Sequence, residues 1–167
     1  MTKTNKCYKQ KYKFYKKELS NFKFVMQDTN NKLVTANQYD YNCMSYALGV
    51  FDDWMQIDTF EISVNRGAAY MEHIFADCCK ELEELYPIRR LDSYTSEIAE
   101  NERMIAFRIG LDDFHFARRN SDGTWTHKPG NNYIREIAES ELLSEAWSKE
   151  ARIYPYISEI AFYAVRV

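Results

Sequence analysis

The chain predicts an α+β fold, with helices packed on a C-terminal antiparallel sheet, and three observations predict it. Apolar residues recur at helical spacing between residues 42 and 85. From Met104 onward, short alternating stretches replace that period. Between two of these stretches lies Asn120-Ser121-Asp122-Gly123, a turn signature that folds neighbouring strands back on each other. With 167 residues, 46% of them hydrophobic, the chain suits one domain with a proper core, spanning residues 1–167.

The elements follow in order. Tyr8, Tyr12 and Tyr15 recur at i, i+4, i+7, which predicts an amphipathic helix within residues 1–18. Asn30-Asn31-Lys32 reads as a turn between extended pieces at Phe22–Met26 and Lys32–Thr35. Asn42 is a good N-cap for a helix running to about Met55, with a stripe of Met44, Ala47, Leu48, Phe51, Trp54 and Met55. A second helix is predicted from Arg66 to Leu85, buried through Met71, Ile74, Phe75, Cys78, Leu82 and Leu85 and stopped by Pro87. Residues 88–102 lack a clear period and read as a surface connection. Strands are predicted at Met104–Ile109, Phe114–Arg119, Thr124–Lys128 and Ile160–Val167, with a polar helix around Glu139–Lys149.

The Asn120–Gly123 turn sets a register. With Gly123 in the left-handed conformation, Ala117 faces His127 and Arg119 faces Trp125. His115 and His127 then share one face as diagonal neighbours, about 7–8 Å apart at the backbone. Phe114 and Phe116 point the other way. Asp113 lies beside the histidines, while Arg119 and Trp125 either pack together or line a substrate groove. His73 lies opposite its helix's apolar stripe and reads as solvated.

The four cysteines suggest neither a disulfide framework nor a zinc site, since Cys78 and Cys79 are adjacent and no Cys-x2-Cys spacing exists. Cys78 lies on a core stripe and Cys79 at its edge. Cys43 differs, because it follows the cap at a helix start. A helix N-terminus lowers a thiol pKa, and a histidine on a later strand can take the proton. Cys43 is therefore the candidate nucleophile and His115 its base. Asp113, His115 and His127 lack a further ligand placed by sequence, so no metal and no cofactor is expected.

No run approaches the ~20 apolar residues of a membrane span, and the lysine-rich start is unlike a secretion signal. The expectation is a cytoplasmic protein with no membrane partner. Residues 1–18 carry seven lysines against Glu18, a local +6, so with a net charge of −3 the remainder carries −9. The basic arm either docks on the body with its lysines solvated or holds nucleic acid.

The segments Asn42-Cys43-x-x-Tyr46-Ala47-Leu48, Asp113-Phe114-His115-Phe116-x-Arg118 and Ser121-Asp122-Gly123-x-Trp125-x-His127-Lys128-Pro129-Gly130 carry a resemblance. Together they resemble small bacterial and phage proteins of the papain-like cysteine hydrolase clan, of the broad NlpC/P60 type. The resemblance implies a papain-like fold in which a cysteine at a helix start meets a histidine on the first strands of the sheet. It implies that His127, on the adjacent strand, orients His115. It also implies an oxyanion donor upstream of the cysteine, for which Gln38 and Asn42 are the candidates. Met44 and Ser45 stand where such proteins often carry Gly and Ser.

The expected chemistry is attack of the Cys43 thiolate, paired with a His115 imidazolium, on an amide or ester carbonyl of a peptide, protein or peptidoglycan-type substrate. The alternative is a non-catalytic, phage-type interaction protein whose acidic body inhibits a host nucleic-acid-binding enzyme. Direct nucleic-acid binding through the Lys-rich N-terminus is the third expectation.

Overall fold

The computed structural model describes residues 12–13, 19–20, 23–28, 33–37, 40–51, 54–63, 71–130, 132–148 and 154–166. Ten strands and four helices are defined among them: β1 Tyr12–Lys13, β2 Leu19–Ser20, β3 Lys23–Asp28, β4 Leu33–Asn37, α1 Cys43–Leu48, α2 Asp58–Ser63, α3 Met71–Leu85, β5 Ile88–Leu91, β6 Glu102–Ile109, β7 Phe114–Arg119, β8 Trp125–His127, β9 Arg135–Ile137, α4 Glu139–Leu142 and β10 Ala161–Arg166. The α+β class holds.

β3 pairs antiparallel with β4, and on the N-terminal side with β1 and β2. The two predicted extended pieces are therefore strands where they are described, while Phe22 and the turn at residues 30–32 lie outside the described residues. The predicted N-terminal helix is not supported where it can be checked, since Tyr12–Lys13 is paired to Asp28 and Gln27 as strand. The rest of that arm, with Tyr8, Tyr15 and most of its lysines, lies outside the described residues, as does Gln38.

The second sheet runs β5-β10-β6-β7-β8-β9, antiparallel throughout. Alternation along its strands sends residues to two cores. Ile105, Phe107, Ile109, Phe114, Phe116, Ala161, Tyr163 and Val165 face a cluster built with α1 and α3. Met104, Ala106, Ala117, Trp125, Phe162 and Ala164 face a second cluster with Leu142, Trp147 and Tyr156. Both faces of the sheet are covered, which is why β6 and β7 read as nearly continuous buried runs.

Several elements differ from expectation. The predicted first helix stops after six residues because Gly49 adopts φ 78°, and its N–H turns back to the carbonyls of Ser45 and Tyr46. Residues 88–91, expected as a surface connection, form β5 on the sheet edge against β10. The polar helix is a single turn at Glu139–Leu142. α2 and β9 have no counterpart in the sequence reading. Residues 64–70, which would join α2 to α3, lie outside the described set.

Candidate active site

The hairpin is the frame of the site. Asn120 N–H donates to the Thr124 carbonyl at 2.8 Å and Gly123 N–H to the Asn120 carbonyl at 3.0 Å, with Gly123 at φ 88°. Ala117 pairs with His127 and Arg119 with Trp125, the register the turn chemistry predicts. His115 and His127 meet as a result, with His115 Nε2 and His127 Nδ1 2.8 Å apart in one hydrogen bond. Tyr156 stacks on the His115 ring at 5.2 Å between centroids, and Trp147 meets it edge-on at 6.1 Å. Burial, and next the neighbouring His127, push His115 well below the ordinary histidine range. It is held as a neutral imidazole.

Cys43 reaches the same strand from the other core. Asn42 caps α1 by accepting from the Ser45 N–H at 3.0 Å and from the Ser45 hydroxyl at 2.9 Å. Its amide nitrogen donates to the Met55 carbonyl at 2.5 Å. The cap presents Cys43 to the stretch of β7 that lies before the residues paired with β8. There the thiol donates to the carbonyl of Phe114, the residue next to His115, at 3.8 Å. Tyr46, one turn on, anchors α1 to β8 through a hydrogen bond between its hydroxyl and that of Thr126 at 2.8 Å.

The expected thiolate is not what this environment favours. Cys43 is 6% exposed, and burial pushes its thiol up to about 12, with Asp113 acting in the same sense. The Phe116 and Met44 backbone N–H groups and Lys128 pull the other way and are outweighed. The structure thus corrects the expected depressed pKa and thiolate–imidazolium pair: desolvation exceeds what a six-residue helix can offset. The resting state is a neutral thiol on one face of β7 and a neutral imidazole on the other, with the thiol proton aimed at the Phe114 carbonyl.

The other candidates divide. Asp113 belongs to the cluster: one carboxylate oxygen accepts from Phe114 N–H at 2.8 Å, the other from the Tyr156 hydroxyl at 3.1 Å. Trp125 is 3% exposed and packs edge-on against Phe162 in the second core, so it lines no groove. Arg119 lies at the hairpin tip, its guanidinium near Gly123. Asn42 is engaged in the cap and the Met55 contact, which corrects its assignment to the oxyanion. Cys78 is fully buried in the first core, and Cys79 beside it accepts from Arg90 Nη1 at 3.2 Å. His73 is exposed. Among the described residues no group of three or more His, Cys, Asp or Glu side chains is placed to hold a metal ion. Nor is any described helix long and apolar enough to cross a membrane.

Two residues of the cluster escaped the sequence reading. Tyr156 carries no local signal, because a segment outside any long strand brings it to His115. Lys128 did carry one. It follows His127, so the hairpin register turns its side chain to the face of Phe116, toward Cys43.

Comparison with curated proteins and with solved structures returned no match. A family model does match, over residues 32–154, a span that takes in Cys43, His115, Lys128 and His127 together. The chain belongs to the family described as Domain of unknown function (DUF7689).

Proposed function

We propose that the protein is a papain-like cysteine hydrolase or acyltransferase acting on an amide bond of a peptide, protein or peptidoglycan-type substrate. The observation that carries this reading is one juxtaposition. The Cys43 sulfur lies at the carbonyl of Phe114 on one face of β7, and the side chain of the next residue, His115, is tied to His127 at 2.8 Å on the other. When His115 Nε2–H is the donor in that bond, its Nδ1 keeps a lone pair as base, and His127 holds the ring in that tautomer. Thiol and imidazole are both neutral and face opposite sides of β7 at rest, so turnover requires the His115 ring to reach the sulfur when substrate binds, and proton transfer from Cys43 to His115 then accompanies attack on the carbonyl. The C–S bond forms, the C–N bond breaks as the amine takes the proton from His115, and water or another acceptor resolves the thioester.

The test is hydrolysis of a panel of acyl-peptide anilides, p-nitrophenyl esters and peptidoglycan fragments by wild type, Cys43→Ala and His115→Ala. Wild type is expected to turn over at least one substrate. Cys43→Ala should abolish turnover, and His115→Ala should lower it by roughly 10²–10⁴-fold. Activity that survives Cys43→Ala overturns the proposal.

The burial of the thiol favours a second reading, that of a partner-binding protein that inhibits a host enzyme without turnover. It predicts salt-sensitive binding to a basic protein that is unchanged in Cys43→Ala.

A further inference from the structure

We infer that Lys128 is a further catalytic residue of this site, its ammonium donating to the oxyanion formed when the Cys43 sulfur adds to a carbonyl. The inference rests on the hydrolase reading and deepens it. Since Ala117 faces His127, the following residue leaves β8 on the opposite face, the one Phe116 and Cys43 occupy. The Lys128 side chain is fully buried, a costly place for a cation.

Its contacts explain how the charge is kept. Nζ donates to the Gly130 carbonyl at 2.5 Å and lies 4.6 Å from the Tyr41 ring centroid and 6.0 Å from that of Trp54. Gly130, at φ 47°, turns the loop back so that its carbonyl meets the ammonium. A carbonyl and two ring faces hold a cation without neutralising it, and an ammonium has three N–H bonds to direct. Tyr41 stands two residues before Cys43, so the charge sits over the segment that enters α1. Burial lowers the lysine to about 8, and a thiolate at Cys43 acts against that shift, so the two groups are electrostatically linked. An oxyanion on a Cys43 adduct forms in this region, where Asn42 is otherwise engaged.

In the reaction the Cys43 S–C bond forms and the carbonyl π pair moves onto oxygen, where Lys128 holds it. When the C=O bond re-forms, the C–N bond breaks and the leaving amine takes its proton from His115. A preorganised donor of this kind is worth about 10²–10³-fold in rate.

Two reagents isolate that contribution. p-Nitrophenyl acetate acylates the thiol through an oxyanion, releasing p-nitrophenolate, whereas iodoacetamide alkylates it with loss of iodide and no oxyanion. Both need the same thiolate and the same access, so the ratio of their rates at Cys43, read by mass spectrometry of the intact chain, cancels both. In Lys128→Met the ratio is expected to fall about 100-fold. Lys128→Gln, which keeps a neutral N–H donor, should fall in between. Circular dichroism and thermal melting establish that each variant is folded. A ratio unchanged in both variants overturns the assignment of Lys128 alone. Wild-type Cys43 inert to both reagents overturns the hydrolase reading and this inference with it.

Discussion

At Cys43 the balance between desolvation and nearby donors decides the chemistry, and the two sides are unequal. Two backbone N–H groups and the Lys128 charge favour the thiolate, yet the sulfur is 6% exposed and stays a thiol up to about 12. The measurable consequence is a pH profile. Iodoacetamide should modify Cys43 at a rate that keeps rising well past pH 9, where an ordinary peptide thiol has levelled off. A plateau near pH 8–9 would mean an open, solvated thiol. The orienting role of His127 is separable from the thiol: His127→Ala should cut turnover by about 100-fold while leaving the pH profile of alkylation in place. Equal loss in both would assign His127 to folding. At this scale, the placement of Cys43 at a capped helix start and of His115 on a strand was legible, because a cap and an alternation mark both. The protonation states were not, since burial is a property of tertiary packing that Asn42-Cys43 cannot announce.

The turn between β7 and β8 is the element whose geometry was most completely legible. Asn120 and Gly123 specify a register, and the register alone brings His115 to His127. α1 shows the opposite case. Its apolar stripe continues through Phe51 and Met55, both buried, but the backbone leaves the helix at Gly49 and buries them from a loop. A hydrophobic period reports burial and is silent about where the hydrogen-bond ladder ends. β5 and β9 were missed because edge and short strands carry polar residues on exposed positions. Two glycines test these elements. Gly49→Ala forces a left-handed alanine and should destabilise by about 1–2 kcal/mol in urea unfolding. At Gly110 a Cβ would come within 2.7 Å of the Pro155 carbonyl oxygen, where Gly110 bridges to Tyr156. Gly110→Ala should therefore cost about 1–3 kcal/mol and loosen the ring that stacks on His115. A Gly110→Ala variant as stable as wild type would show that the 154–156 segment moves freely.

At the scale of the whole molecule, two titrations among the described residues illustrate how stability responds to acid. His115 is kept neutral in the native state, whereas the unfolded chain takes up that proton near ~6.5. Its depressed pKa therefore contributes stability above that point, which is lost as pH falls below it. Glu102, held down to about 2 mainly by its bond to Arg89, contributes in the same direction but only as pH falls below the ordinary carboxylate range. Melting temperatures measured from pH 8 to pH 5 should decline, and His115→Gln should flatten that decline. A wild-type profile that is flat over this window would mean that His115 is solvated. The layered architecture was legible from the change of period near residue 104. The N-terminal charge asymmetry was legible too, but it says nothing about the strand that Tyr12–Lys13 forms against β3.

The bond between His115 and His127 joins two residues of one hairpin, so the proposed base and its partner form a cassette bounded by a single tight turn. One residue inserted between Asn120 and Gly123 would shift the pairing, turn one ring to the other face and separate both from each other. The proposed nucleophile, Cys43, arrives from a distant stretch of chain and is under no such constraint. Within a lineage the cysteine can be lost by one substitution while the histidine pair persists, and relatives should be sorted by which half of the site they retain.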